Sequence, residues 1–130
     1  MALCLADSLI ECRGFDANDQ MQRYCRWIDE GYNSAKPYAF GIGKTILNAL
    51  IRYHKTQNPY SGRTESKFSG NGLLMRIAPI AIYYADQPEL AWHYAVLSSK
   101  TTHASVECIQ ACQYFTHLLI KAFHGVEKTQ

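Results

Sequence analysis

Long apolar runs, basic clusters, alternating apolar and polar stretches and secretion signals are all missing from this 130-residue sequence. The longest apolar region, Leu73 to Ala85, is interrupted by Arg76 and is too short to cross a bilayer as a helix. The N-terminal "ALCLADSLIEC" has no basic region before it and is broken by Asp7 and Glu11, which excludes the pattern of a cleaved leader. The 13 Lys and Arg are scattered against 11 Asp and Glu, so no stripe that would track a phosphate backbone is visible, and nucleic acid is not an expected partner. Only four prolines and 18% charged residues separate the chain from disordered sequences. Without any strand-like alternation or internal repeat, the expected class is all-α. Five cysteines, Cys4, Cys12, Cys25, Cys108 and Cys112, are an odd number set in helical patterns, and they read as reduced, buried thiols of a cytoplasmic protein.

What is present is helical punctuation. Ala2 to Cys12 repeats apolar residues at helical spacing, Leu3, Ala6 and Ile10 among them, and Gly14 closes it, yet no capping residue precedes Met1. Asp16 is a good N-cap for a helix with Met21, Tyr24, Cys25 and Ile28 inward, Arg23 on the wet face and Gly31 at its end. After a loop from Tyr32 to Ile42, a third helix spans roughly Lys44 to Lys55, with Leu47, Leu50, Ile51 and His54 on one face. Tyr60 to Ser69, polar and mixed in charge, reads as a long loop. Gly72 to Ala85 reads as one helix, apolar all round and bent at Pro79, hence central in a bundle. Pro88 opens the next helix, with Leu90, Ala91, Tyr94 and Leu97 inward. "SSKTTH", Ser98 to His103, reads as the break before the longest helix. That helix carries a stripe of Ala104, Cys108, Ala111, Cys112, Phe115, Leu119 and Ala122, and Gly125 stops it.

Four features could carry chemistry. "FGIGKT", Phe40 to Thr45, ends like a nucleotide-triphosphate loop, but Tyr38 stands where that motif needs glycine and no buried strand precedes it, so Lys44 and Thr45 read as helix-start residues. Cys108 and Cys112, four residues apart, could ligate a metal, but no second pair with zinc spacing accompanies them. In "KFSGNGLLMRIAP", Lys67 to Pro79, Gly70 and Gly72 permit positive φ and close approach, and the Asn71 amide offers donors and an acceptor: a tight turn, or a loop that touches a ligand. His103, after a candidate Thr102 N-cap, would fall in the first turn of the longest helix, where backbone N–H groups favour an anion. His93, His117 and His124 fall on wet or half-wet helix faces and read as structural.

Taken together, "SGNGLLMRIAPIAI" and the later "SSKTTHAS" resemble the ADP-ribosylglycohydrolase family in motif, order and spacing, and "MALCLADSLIE" resembles the segment that follows the family's Thr-Asp-Asp-Thr metal motif. The resemblance covers essentially the whole chain. It implies a multi-helix bundle around a cleft with two Mg²⁺ or Mn²⁺ ions, which hydrolyses the bond between ribose and an acceptor on ADP-ribosylated proteins or small molecules. It further implies that Ser69, Gly70 and Asn71 line the pyrophosphate and ribose, that His103 meets the same ligand, and that Arg76 and Pro79 shape the helix behind the loop. Neither Thr-Asp-Asp-Thr nor the family's later Asp-x-Asp-Thr motif occurs here. The expectation is therefore a partial domain over residues 1–130, with Met1 matching an internal methionine, no bound metal and no catalysis by this chain alone. Such a chain would self-associate through exposed apolar surface. The alternative is a non-catalytic helical module that binds ADP-ribose or a protein.

Overall fold

A computed structural model describes residues 1–127, and among them six α-helices and no strand. They are α1 (Ala2–Glu11), α2 (Ala17–Glu30), α3 (Lys44–Thr56), α4 (Ala78–Tyr83), α5 (Pro88–Thr102) and α6 (Val106–Phe123). The all-α expectation holds. The Asp16 carboxylate accepts the Asp19 N–H as the cap of α2, and Gly31 closes that helix at φ 69°. Gln87 and Pro88 open α5, and Gly125 at φ 70° follows the end of α6.

The short α4 is the hub, packed against α1, α5 and α6, while α2 bridges α1, α3 and α5. Leu5, Leu9, Met21, Tyr24, Leu73, Ile77, Ile80 and Cys112 form one continuous core, all at or below 1% exposure. Three of the five thiols are buried as expected; Cys25 is half-buried, and Cys12, at the end of α1, is exposed.

Two element boundaries differ from the sequence reading. Residues 72–76 are successive turns closed by i to i+3 bonds such as Leu74 N–H to Asn71 O at 3.0 Å, not the first half of a long helix. Pro79 therefore bends nothing. It sits in the first turn of α4, where its missing N–H costs no bond, and its ring would clash with the carbonyl four residues back if the helix ran further upstream. Secondly, Ser98 to Thr102 is helical. Serine and threonine compete locally with helix backbone bonds, yet here four of these residues are buried and the hydroxyls of three are engaged: Thr101 donates to Ser98 O at 2.7 Å, Ser99 donates to His103 O at 2.7 Å and Thr102 accepts from Arg76 at 2.7 Å, while the Ser98 hydroxyl has no partner among the described residues. Consequently Thr102 is no N-cap. Ser105 caps α6, its hydroxyl accepting the Cys108 N–H, and His103 is the extended residue that ends α5.

Several inward faces are also different. On α1 the buried residues are Cys4, Leu5, Ser8 and Leu9, whereas Leu3 and Ile10 are 63% and 67% exposed. On α3 they are Ile46, Ala49, Leu50 and Tyr53, and Leu47, Ile51 and His54 lie outside. On α5 Ala91 is buried as expected, but Leu90 is exposed and Tyr94 and Leu97 only half-buried. Along α6 Thr116 and Ile120 complete the Cys108–Cys112 stripe, and Ala111 and Ala122 are exposed. Both α1 and α3 are apolar on two sides, so their periodicity admits two inner faces. The unchosen ones line grooves: one of about 380 Å³ between α1 and α4, with Leu3, Ala6, Ile10, Pro79, Ile82 and Tyr83, and one of about 270 Å³ between α2 and α3. Arg23, expected in water, is buried instead, bonded to Asp19 at 2.7 Å, Glu11 at 2.9 Å and the Tyr32 hydroxyl at 3.0 Å, which ties the loop after α2 to α1.

Candidate functional site

The turn before α4, the end of α5 and the start of α3 converge on a cavity of about 310 Å³. Gly70, Asn71 and Gly72 form one wall, Lys44, Thr45 and Ile46 another, and His103 and Arg76 the floor; the first residues of α1 and Phe40 complete it. Three of the four residues singled out from sequence thus share one cavity. Ser69 does not line it. Its hydroxyl pairs with that of Ser105 at 2.8 Å, and it borders a separate hollow with Glu107 and Ala111.

Neither Gly70 nor Gly72 has a positive φ, so what the two positions provide is close approach. A Cβ on Gly70 would lie 3.4 Å from His103 Nε2, and one on Gly72 would lie 2.7 Å from Ile46 Cδ1 and 3.5 Å from His103 Cε1. The loop therefore leans directly on the histidine ring. Behind the ring, residues 62–63 pair with the end of α5: the Gly62 N–H donates to Lys100 O at 3.0 Å and the Ala104 N–H to Arg63 O at 3.1 Å.

His103 is 2% exposed, and burial, reinforced by the Arg76 charge, pushes it down to about 4. The ring is neutral at physiological pH. An unfolded chain would take up this proton near 6.5, whereas the folded one resists it until about 4, so the histidine's contribution to stability is intact above 6.5 and is lost as pH falls toward 4. Denaturant titrations should show that loss in wild type, and His103→Gln should remove this component of the pH dependence.

Arg76 is the least expected feature of the floor. Its guanidinium is 1% exposed and donates from Nη2 to Ser98 O at 3.0 Å, Thr101 Oγ1 at 3.1 Å and Thr102 Oγ1 at 2.7 Å. Nε and Nη1 have no hydrogen-bond partner, and no carboxylate pairs with the charge among the described residues. The carbonyl end of α5 and the face of Tyr24, 5.4 Å away, are what stabilise it. Gly43 starts α3 without any side-chain cap, leaving the first-turn amides of Lys44, Thr45 and Ile46 for a ligand. Lys44 and Thr45, set aside in the sequence as ordinary helix-start residues, are therefore part of the site; the uncapped glycine before them was the available signal.

The lining carries two cationic side chains, Lys44 and Arg76, and no carboxylate, and among the described residues no three His, Cys, Asp or Glu side chains converge as metal ligands. These donors fit an anion. They do not fit Mg²⁺ or Mn²⁺, which demand hard oxygen ligands.

Comparison with known proteins decides the family, because the ADP-ribosylglycohydrolase model matches residues 1–130. The chain belongs to the ADP-ribosylglycohydrolase family. It is 32% identical over 130 residues to the ADP-ribosylarginine hydrolase Tri1 of Pseudomonas putida (strain GB-1), covering all of this chain and 35% of that protein. Against the protein of the same name from Serratia proteamaculans (strain 568) it is 32% identical over 125 residues, covering 96% of this chain and 34% of the relative. A solved chain from an ADP-ribosylglycohydrolase-related protein complex superposes with a TM-score of 0.79 at 39% identity, over 97% of this chain and 39% of its own length. The chain thus spans about a third of the length of the curated relatives it matches, and its helices adopt the ADP-ribosylglycohydrolase fold.

Proposed function

We propose that this chain is the ADP-ribose-binding part of an ADP-ribosyl hydrolase, and that by itself it binds ADP-ribose or ADP-ribosylated protein without cleaving the ribose bond. The observation that carries this reading is the composition of the cavity: uncapped helix amides, Lys44, Arg76, the Asn71 amide and His103, with no carboxylate. An uncapped helix start, the exposed Lys44 and the buried Arg76 suit a pyrophosphate. Hydrolysis by metal-activated water needs carboxylates that converge on the ions, and this cavity offers none. The names of the relatives favour ADP-ribosylarginine as the modified group.

Asn71→Ala and His103→Ala are each expected to weaken ADP-ribose binding by about 1–3 kcal/mol, the cost of leaving a buried polar contact unmade. His117→Ala, on the exposed face of α6, is expected to bind like wild type. Calorimetric titration with ADP-ribose checks all three. Equal losses from all three, or none from Asn71→Ala and His103→Ala, would contradict the assignment.

No helix among the described residues is long and apolar enough to cross a membrane. The five cysteines are all free, which suits a reducing compartment, and the reading places the binding in the cytoplasm. The exposed groove between α1 and α4 supports a further part of the reading, that the isolated chain self-associates through it.

A further inference from the structure

The hydrogen bonds at the floor of the cavity form a directed chain. A guanidinium has donors only, so Thr102 Oγ1, 2.7 Å from Arg76 Nη2, must accept there. The threonine's own proton then needs an acceptor. Thr102 Oγ1 lies 2.8 Å from His103 Nδ1, while Ser98 O, the nearby carbonyl, already receives both Thr101 and Arg76. If Nδ1 carried a proton, Thr102 would have to accept twice and its own hydroxyl hydrogen would have no partner in a buried site. Nδ1 is therefore the acceptor, and the ring proton belongs on Nε2. That nitrogen has no hydrogen-bond partner among the described residues, and it faces the cavity beside Gly70.

We propose that Arg76 and Thr102 are positioning residues that fix His103 as the neutral imidazole protonated on Nε2, making it a hydrogen-bond donor to an oxygen of the ligand. The ligand part of this statement rests on the ADP-ribose reading above; the tautomer does not. The consequence is a division of labour. With Nδ1 occupied and Nε2 already protonated, His103 cannot serve as a general base, and it selects an oxygen acceptor, a phosphate or a ribose hydroxyl, over a donor. The low proton affinity of the ring, lowered by burial and then by Arg76, keeps this state unchanged across the physiological range.

The test is a long-range ¹H–¹⁵N correlation spectrum of the histidine rings in the ¹⁵N-labelled full chain at pH 7, without ligand, with His103 assigned by comparison with His103→Gln. The expected result is an unprotonated Nδ1 and a protonated Nε2. Thr102→Val, close in shape but without the hydroxyl, should shift the ring toward a mixture of tautomers and weaken ADP-ribose binding ~tenfold, whereas Thr102→Ser should restore both. A wild-type ring protonated on Nδ1, or charged at pH 7, would overturn the proposal whether or not ADP-ribose binds, and so would an unchanged tautomer in a folded Thr102→Val. A wild-type ring protonated on Nε2 in a chain that ignores ADP-ribose would uphold the tautomer and reject the ligand.

Discussion

Gly62→Ala is expected to destabilise the fold by about 3 kcal/mol, at the upper end of what overpacking costs, and to lower the melting temperature by roughly 10 °C. The added methyl carbon would stand 2.7 Å from His103 N and 2.8 Å from both Lys100 O and Thr102 C. All three are backbone atoms, so no side chain can rotate away to make room. Relief requires residues 61–63 to separate from the end of α5. That separation would break the bonds to Lys100 O and from the Ala104 N–H, and loosen the Ser61 carbonyl from the Arg52 guanidinium, now 2.7 Å away. Since the same backbone carries His103, ADP-ribose binding should weaken along with stability. Gly43→Ala is the control, because a Cβ there meets nothing within 4 Å and a glycine cap gives way to alanine at a cost under about 1 kcal/mol. Thermal melts of the two variants check the contrast, and similar melts would mean that the close approach at Gly62 is not a constraint.

The second large effect concerns association. Leu3, Ile10 and Ile82 are all more than 60% exposed and border one groove whose lining has no charged side chain. Covering a few hundred Å² of such surface at roughly 25 cal/mol per Å² is worth as much as the whole stability of a small domain. Wild-type chain should therefore sediment with a mass that rises with concentration and should bind a dye for exposed apolar surface. Ile10→Lys combined with Ile82→Lys should return it to a monomer while preserving the helical circular dichroism, since neither side chain belongs to the buried core. A monomeric wild type with a sharp, cooperative melt would show that the groove is harmless.

Helix ends were the most legible part of the sequence. Asp16, Gly31, Pro88 and Gly125 act locally, through a side-chain cap, a left-handed residue or a missing N–H, and each stands where its chemistry predicts. Inner faces were less legible. Periodicity states that a helix side is apolar but not which other helix covers it, so the Leu3–Ile10 and Leu47–Ile51 sides stand out in the sequence although other residues of α1 and α3 fill the core. "SSKTT" reads as a break in the sequence, and it is helical for a physical reason: its two threonine hydroxyls meet a buried arginine that no local rule anticipates. The family is legible in its motif strings, their order and their spacing, and the structure brings Gly70, Asn71 and His103 onto one cavity. Ser69 joins them in the resemblance, and in the structure its hydroxyl pairs with that of Ser105 at 2.8 Å. Arg76 was expected behind the loop and is found there, but its unpaired guanidinium depends on contacts with α5 from 22 to 26 positions away in sequence.

The most direct measurement is a calorimetric titration of the wild-type chain with ADP-ribose, run once with a chelator and once with excess Mg²⁺, alongside an assay for ADP-ribose released from ADP-ribosylarginine. A cavity of helix amides, Lys44, Arg76, Asn71 and His103 without carboxylates predicts the same affinity in both titrations and no release in either buffer. Binding that appears only with Mg²⁺, or release above a metal-free control, would contradict it.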